Sequence, residues 1–475
     1  MTQNRSFKSR VRERMIKTGE RYTTARARVL RSKHAQLGLT AYPWLLSGYD
    51  DFGGIQNGTA IAHNLLKQAG IRNPETGEPY SEPMLNGLAG GPGFMYAVFE
   101  YRDTAAPLLT ITMRNKSMPE LFLDCVFERA GVSVSVDATA SAVKADHLLD
   151  EALEAGKGSI CTVDMTQLPY YYMPDAYAGM APHQVGVAGR DGDRIWIDDR
   201  SSASRALSTQ QFSMARAAQK RARNRIVTVN HAAGDRDLHG AILDSIRHTI
   251  YGYETGDVGV PAQFRLNCGF DGMEKWRRLL TDRSDKKGWP SLFPADKKSY
   301  VGLRRAYDCV QFDDTAAEAG RPLYAEFLDE AAGLISGGAA LVEAAEAFRE
   351  AGAVWGAISA LISNCDPVVA AGCATTDRIV ELLDSEGYGA GGDSGDKSES
   401  HTEGEDGVPN EAVLRRFWDE RLSLTNDCCI SAERAATIYE EIAEHLEKVI
   451  GLERRAVDAL RDTVGWGGLS IDWDA

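Results

Sequence analysis

The most informative segment of the chain is Asp51-Phe-Gly-Gly-Ile-Gln-Asn57-Gly-Thr-Ala-Ile-Ala-His-Asn-Leu-Leu66. Its glycine-rich start predicts a loop, and the apolar residues that follow predict a buried helix that begins near Asn57. A helix N-terminus lowers the pKa of a thiol, so this junction is a favourable position for a nucleophilic cysteine. Asn57 has no ionisable group and is not a useful nucleophile. This one residue therefore separates an enzyme from a protein that keeps only the framework of one.

The composition is that of a large acidic protein. The 475 residues include 53 basic and 68 acidic side chains, for a net charge of -15. This length favours two or three domains, and the charge argues against general nucleic-acid binding and against attraction to anionic membranes. No apolar run approaches the ~20 residues that span a bilayer, and the N-terminus has no signal-peptide features. The eight cysteines lack metal-ligand spacing, which predicts reduced thiols in the cytoplasm, with no metal and no cofactor.

The pattern along the chain predicts an α+β domain followed by an all-α domain. Basic residues dominate 1–40, which predicts a helical N-terminal arm that is either solvated or docks on a polyanion. Residues 41–232 mix strand and helix patterns, whereas 233–386 carry apolar stripes at helical spacing. The acidic, glycine-rich segment 387–408 is typical of a flexible linker. Residues 409–475 predict further helices that pack on the helical domain.

A predicted β-hairpin carries the first candidate site. Apolar residues alternate on both sides of a predicted loop at 189–193. Closing the hairpin over this loop places His183 opposite Asp199 on one face, and a slip of one residue would offer Asp198 instead. A histidine oriented by a carboxylate is the base half of a Cys-His-Asp device. A histidine that only satisfies a local hydrogen bond would give the same pattern.

Four segments carry motifs that occur together, in this order, in one known family. They are Gly54-Ile-Gln-Asn-Gly-Thr-Ala60, Asn86-Gly-Leu-Ala-Gly-Gly-Pro-Gly-Phe-Met-Tyr96, Val163-Asp-Met-Thr-Gln-Leu-Pro-Tyr170, and His183 with Ile-Trp-Ile-Asp-Asp-Arg200. Together they resemble the butirosin biosynthesis protein H family. Residues 321–332 and the helix around Trp355 resemble the helical domain of unknown function that usually follows. The resemblance covers about residues 45–385 and implies a papain-like, C39-like domain followed by an all-α domain.

The resemblance implies a protein of specialised natural-product metabolism that transfers an acyl or aminoacyl group. The donor would be a carrier-protein or small-molecule thioester, and the acceptor an amine. By position, His183 would be the general base and Asp199 the residue that orients it, while Asn57 occupies the position of the nucleophilic cysteine. The further residues predicted to contact substrate are Gln56, Gly58, Ser81, Glu82, Gly91 and Asp198. Gln56 stands where the family commonly has histidine.

The absent cysteine leaves two functions open. The chain is either a transferase in which a bound amine attacks the thioester directly, or an inactive binding or scaffold protein of such a pathway. Asn57 would then help to bind an acyl oxygen, or it would cap the helix that starts at Gly58. Thr59 is an alternative nucleophile, two residues inside the helix. A membrane partner is not expected. Nucleic-acid binding is considered only for the N-terminal arm, and a homo-oligomer is compatible with the sequence.

Overall fold

The computed structural model of the chain describes residues 45–100, 106–116, 118–171, 177–201, 204–234, 237–312, 316–336, 338–385 and 410–465. The predicted arm at 1–40 and the predicted linker at 387–408 lie outside these residues. The described part is α+β overall, and its C-terminal part is helical.

Among the described residues up to 232, the structure has five α-helices and eight strands. The helices are α1 (Asn57–Gln68), α2 (Glu82–Leu88), α3 (Pro119–Arg129), α4 (Ala142–Glu154) and α5 (Thr209–Ala218). The strands are β1 (Pro92–Phe99), β2 (Leu108–Arg114), β3 (Val132–Asp137), β4 (Ser159–Asp164), β5 (Pro182–Asp191), β6 (Arg194–Asp198), β7 (Arg205–Ser208) and β8 (Ile226–Ala232).

The rest of the described chain is helical. Its helices are α6 (Leu238–Thr255), α7 (Gly269–Thr281), α8 (Trp289–Leu292), α9 (Lys297–Gln311), α10 (Arg321–Ala332), α11 (Gly338–Asn364), α12 (Pro367–Ser385), α13 (Asn410–Asp427) and α14 (Ala432–Val464). Short 3-10 helices lie at Met165–Gln167, Ala262–Asn267 and Glu318–Gly320.

The main sheet is antiparallel, with strand order β3-β8-β4-β5-β6-β7, and β1 pairs with β2 separately. Strand β8 therefore lies between β3 and β4, although it comes last in the chain. Because side chains alternate along a strand, the two faces of this sheet bury different cores. Ala188 of β5 belongs to the core that contains Ile61 of α1, whereas Val185 belongs to the core that contains Phe212 of α5 and Leu383 of α12. The sheet is thus covered by α1 on one face and by α5 and α12 on the other.

Helix α1 is held by burial. Ile61, Leu65 and Leu66 are each at most 1% exposed, and full burial of such a side chain contributes about 1.5–3 kcal/mol. The preceding residue, Gln56, is extended (φ -121°, ψ 131°), so the helix begins at Asn57. The sequence therefore locates the start of this helix correctly.

The predicted hairpin register is wrong. The turn is not the five-residue loop at 189–193, because the ladder continues to the pair Asp191–Arg194 and reverses over Gly192 and Asp193. Gly192 has φ +55°, a conformation that tight two-residue hairpin turns need and that glycine adopts without strain. A bulge at Ala188 then shifts the register, so that Gly186 faces Asp198. Asp199 follows the end of β6 and is not paired in the ladder.

A buried ion pair joins the helical part to the first part of the chain. Arg321 of α10 and Glu453 of α14 are both 0% exposed, and Nε of Arg321 lies 2.7 Å from Oε1 of Glu453. The same guanidinium donates to the carbonyls of Met113 in β2 (2.9 Å) and Gly93 in β1 (3.0 Å). One arginine therefore connects two helices to the β1–β2 pair.

Candidate functional site

Asn57 is the first residue of α1, and its side chain does not cap the helix. The N-cap position belongs to Gln56, which makes no side-chain cap hydrogen bond. The interpretation of Asn57 as an N-cap is therefore wrong. Its amide instead spans the sheet end: Nδ2 donates to the carbonyl oxygen of Gln184 (3.0 Å), and Oδ1 accepts from the backbone N–H of Arg200 (3.1 Å).

These two hydrogen bonds bring the predicted site residues to one place. Gln184 follows His183 in β5, and Arg200 follows Asp199 just after β6. The helix N-terminus is thus tied to the backbone beside both members of the predicted pair. Both polar groups of the Asn57 amide form hydrogen bonds with the backbone. The side chain therefore holds the start of α1 in position relative to β5 and the end of β6.

His183 and Asp199 form a close and buried pair. Nε2 of His183 lies 2.8 Å from Oδ1 of Asp199, and the two side chains are 3% and 0% exposed. Tyr170 donates its hydroxyl to Oδ2 of Asp199 (2.7 Å). The ring of Tyr171 meets the imidazole edge-on, with centroids 5.4 Å apart, and its hydroxyl lies 3.5 Å from Nε2. The carboxylate therefore fixes the orientation of the imidazole.

Arg205 of β7 supports the same pair from the other side. Its Nε donates to the carbonyl oxygen of Asp199 (3.1 Å), its guanidinium lies 4.4 Å from the centroid of the Tyr170 ring, and it also donates to the carbonyl of Leu383 in α12. Burial alone would raise the pKa of the Asp199 carboxyl. The charge and hydrogen bond of His183, together with Arg205 and Tyr170, outweigh burial and hold that pKa below its usual value.

Asp198 points to the opposite face of the sheet, towards α1. It is 0% exposed and accepts from Tyr49 Oη (2.9 Å), the backbone N–H of Gly53 (2.9 Å) and Asn64 Nδ2 (2.8 Å). Burial raises the pKa of Asp198 to about 6, against the lowering effect of these hydrogen bonds. All three donors lie in α1 or in the segment before it. The structure thus places this predicted substrate residue as an anchor of the loop that enters α1.

Glu82 and Gln56 organise the same loop. The Glu82 carboxylate accepts from the backbone N–H of Ile55 (3.0 Å and 3.1 Å), just before the helix. A Cβ at Gly54 would lie 2.6 Å from both Glu82 oxygens, so glycine is needed for this approach. Gln56 is 3% exposed, and its Oε1 accepts from Asn86 Nδ2 (3.0 Å). Gln56 directly precedes Asn57, and Glu82 binds the backbone two residues before Asn57.

Ser81, Gly91 and Gly58 lie at the edges of this region. Ser81 is the N-cap of α2, accepts from Met84 N–H (3.0 Å), and donates to Glu330 of α10 (2.7 Å). Gly91 has φ +59°, and a Cβ there would overlap the Tyr324 ring. Gly58 packs near α3. These residues fasten the site to neighbouring helices.

A small cleft of about 10 Å³, room for about one water molecule, opens beside Gln56. Its walls include Gly91, Arg114, Gly320 and Leu323. The cleft thus lies between the glycine turn before β1 and the start of α10. Here residues of both parts of the chain border open space next to the residue that precedes α1.

Two other side chains in this region, Thr59 and Cys161, carry a hydroxyl or a thiol group. Thr59 is 0% exposed, and its hydroxyl donates to the carbonyl oxygen of Gln56 (3.2 Å). Cys161 in β4 pairs with Val185, two residues from His183, but it is 0% exposed and burial raises the pKa of its thiol. Neither group has the exposure and activation that a nucleophile requires.

Within the described ranges, no group of three or more His, Cys, Asp or Glu side chains could hold a metal ion. None of the helices described is both long enough and apolar enough to cross a membrane.

Sequence reasoning missed Tyr170, Tyr171 and Arg205. Tyr170 ends one of the quoted motifs, so its position in the chain was a usable signal. Arg205 had no such signal, because its contacts with Asp199 and Leu383 depend on how β7 and α12 pack.

Comparison with known families identifies two domains in this chain. The family model described as "Butirosin biosynthesis protein H, N-terminal" matches residues 57–200. The model of a domain of unknown function (DUF4872) matches residues 206–384. No curated protein sequence matches the chain. The first domain contains Asn57, His183 and Asp199. The second begins inside the main sheet, because β7, α5 and β8 lie within it.

Proposed function

Because the chain belongs to the butirosin biosynthesis protein H family, we propose that it handles an acyl or aminoacyl group in the biosynthesis of a butirosin-like natural product. The donor in this proposal is a thioester, on a carrier protein or a small pantetheine, and the acceptor is an amine. The first domain would have a papain-like arrangement, with a helix N-terminus beside a histidine strand. All eight cysteines are free thiols, which favours action in the cytoplasm.

The proposed transfer does not pass through an acyl-enzyme. The amine nitrogen attacks the thioester carbonyl carbon, a C–N bond forms, and the C–S bond breaks. His183 accepts the proton that the amine loses and returns it to the departing sulfur, while Asp199 stabilises the charged imidazole. The products are an amide and a free thiol.

The observation that carries this proposal is the His183–Asp199 pair, tied through Asn57 to the helix N-terminus. Nε2 of His183 lies 2.8 Å from the Asp199 carboxylate, and the pKa of that carboxylate is held low. A carboxylate that orients a general base must stay ionised in this way. His183 is only 3% exposed. Neighbouring side chains must therefore move before substrate can reach the imidazole nitrogen that does not face Asp199.

The test measures amide formation from an acyl-pantetheine thioester and a panel of aminoglycoside amines by mass spectrometry. We expect His183→Ala to lower the rate by about 10²–10⁴-fold, the usual contribution of a general base. Asn57→Ala should retain part of the activity, because no covalent bond to residue 57 is required. His231→Ala, at an exposed histidine of β8, is the matched control. Equal rates for the wild type and His183→Ala would exclude the mechanism.

A second function, an inactive binding or scaffold protein of the same pathway, is favoured by one specific observation. Both hydrogen-bonding groups of the Asn57 amide are engaged by the backbone of Gln184 and Arg200, and the His183–Asp199 pair is buried. Such a protein would gain thermal stability with a thioester or amine ligand but would form no amide. Sustained turnover by the unmodified chain would rule it out.

A further inference from the structure

The stretch from α5 to the start of β8 has an unusual charge. Residues 209–225 contain five basic side chains and no acidic one, in a chain whose net charge is -15. Two of the five are accounted for: Arg216 is buried, and Arg225 pairs with Asp124 (2.7 Å). Within the described residues, the other three form no ion pair. Those three, Lys220, Arg221 and Arg223, are exposed.

The turn that carries these cations is held in one conformation. Arg223 and Asn224 both have φ +52°, which is costly for residues other than glycine. The backbone N–H of Thr139 donates to the carbonyl of Arg223 (2.7 Å), and Asn224 Nδ2 donates to the carbonyl of Thr139 (2.8 Å). The buried Arg216 also donates to the carbonyl of Asn224 (3.2 Å). The exposed cations are therefore presented by a fixed backbone.

Two exposed methionines lie on segments that are connected to this turn. Met214 on α5 is 56% exposed, and Met180, in the turn before β5, is 48% exposed. Asp164 at the end of β4 connects the segment before Met180 to the end of α5, because its carboxylate accepts hydrogen bonds from Gly179 N–H (2.6 Å) and from Gln219 Nε2 (3.2 Å). The result is a mixed surface of flexible apolar side chains and unpaired cations, a combination suited to protein recognition. We call Met180, Met214, Lys220, Arg221 and Arg223 the basic surface.

The basic surface lies at the same end and on the same face of the sheet as the candidate site. In the antiparallel ladder Val163 pairs with His183, and the backbone N–H of Thr162 binds the carbonyl of Arg225 (3.2 Å). The turn after α5 therefore meets the sheet at the end where β5 begins. Helix α5 packs on the core that holds Val185, which is on the same side of β5 as His183.

We propose that the basic surface docks an acidic protein domain that carries the thioester of the proposed reaction. This inference rests on the proposed function for the nature of the cargo, whereas the surface itself follows from charge, exposure and placement. Three cations on a fixed backbone attract an acidic partner, and the methionines supply apolar contact. The position at the same end and face of the sheet as His183 lets a flexible arm on the partner extend towards the site. Apart from the basic segment 1–40, the rest of the chain is net acidic and disfavours such a partner.

The experiment measures the binding of an acidic acyl carrier protein, loaded with an acylated phosphopantetheine arm, to the whole chain. The test variant reverses the charge of the three cations (Lys220→Glu, Arg221→Glu and Arg223→Glu). We expect it to bind the carrier protein at least about tenfold more weakly than the wild type. The matched control reverses three exposed cations of the helical part with the same change in charge: Arg283→Glu, Lys286→Glu and Lys287→Glu. It should stay within about twofold of the wild type. Wild-type binding should weaken from low to high salt.

A second variant, Met180→Ser with Met214→Ser, should weaken binding without any change in charge. Circular dichroism and turnover of free acyl-pantetheine, which needs no docking, report whether each variant is folded. Equal weakening by the two triple variants, no binding of the carrier by the wild type, or preferential binding of a nucleic-acid duplex would overturn the proposal. Carrier binding without any amide formation would overturn the proposed function and leave the docking surface standing.

Discussion

Two adjacent aspartates, Asp198 and Asp199, should respond to pH in opposite ways because they face opposite sides of the sheet. Burial raises the pKa of Asp198 to about 6, against about 3.9 in an unfolded chain. The folded state therefore binds the proton more tightly. The resulting stability is fully present below pH ~3.9 and is lost as pH rises through about 6. Between pH 7.5 and pH 4.5 this linkage stabilises the wild type by about 2 kcal/mol.

The perturbation is Asp198→Asn, which cannot take up that proton. The free energy of unfolding is measured by urea denaturation at pH 7.5 and pH 4.5. We expect the deficit of the variant relative to the wild type to grow by about 2 kcal/mol at the lower pH. The pKa of Asp199 is lowered, so its stabilisation is lost only as pH falls below ~4. The control is Leu65→Ala, which weakens the buried face of α1 without a change in any titratable group, so its deficit should be the same at both pH values. An equally constant deficit for Asp198→Asn would show that Asp198 does not take up a proton in this range.

Two further substitutions test how the site is fastened to the helical part. Glu453→Gln leaves the guanidinium of Arg321 buried without its carboxylate, so unfolding should become easier by about 3–5 kcal/mol; a loss below about 1 kcal/mol in a denaturation experiment would show that the pair is not a buried link. Gly91→Ala places a Cβ against the Tyr324 ring at φ +59°, whereas Gly77→Ala has φ +70° and open space. The first should cost about 1–3 kcal/mol more than the second, and equal melting temperatures would contradict the packing seen at the glycine turn.

The sequence predicted the start of α1 because a glycine-rich loop followed by apolar periodicity is a local signal. It could not predict what the Asn57 side chain does, since its partners are backbone groups of Gln184 and Arg200, far along the chain. The N-cap interpretation failed for that reason. The local sequence allows several roles for an asparagine, and the tertiary contacts determine which of them it has.

The pairing of His183 with Asp199 shows a different limit. The sequence suggested that the two side chains meet, and they do, but through a register that the sequence did not indicate. The reversal at Gly192 and the bulge at Ala188 change the ladder, and Asp199 reaches His183 from beyond the end of β6. Alternation patterns identify the face of a residue. The register depends on turn and bulge geometry, which a single sequence specifies only weakly.

The proposed acyl transfer occurs without a covalent bond to the chain. The direct measurement is the intact mass of the wild type, quenched during turnover of an acyl-pantetheine thioester with an amine acceptor. We expect amide to accumulate while the mass of the intact protein stays unchanged. An acyl adduct that forms and disappears at the rate of amide production would contradict it.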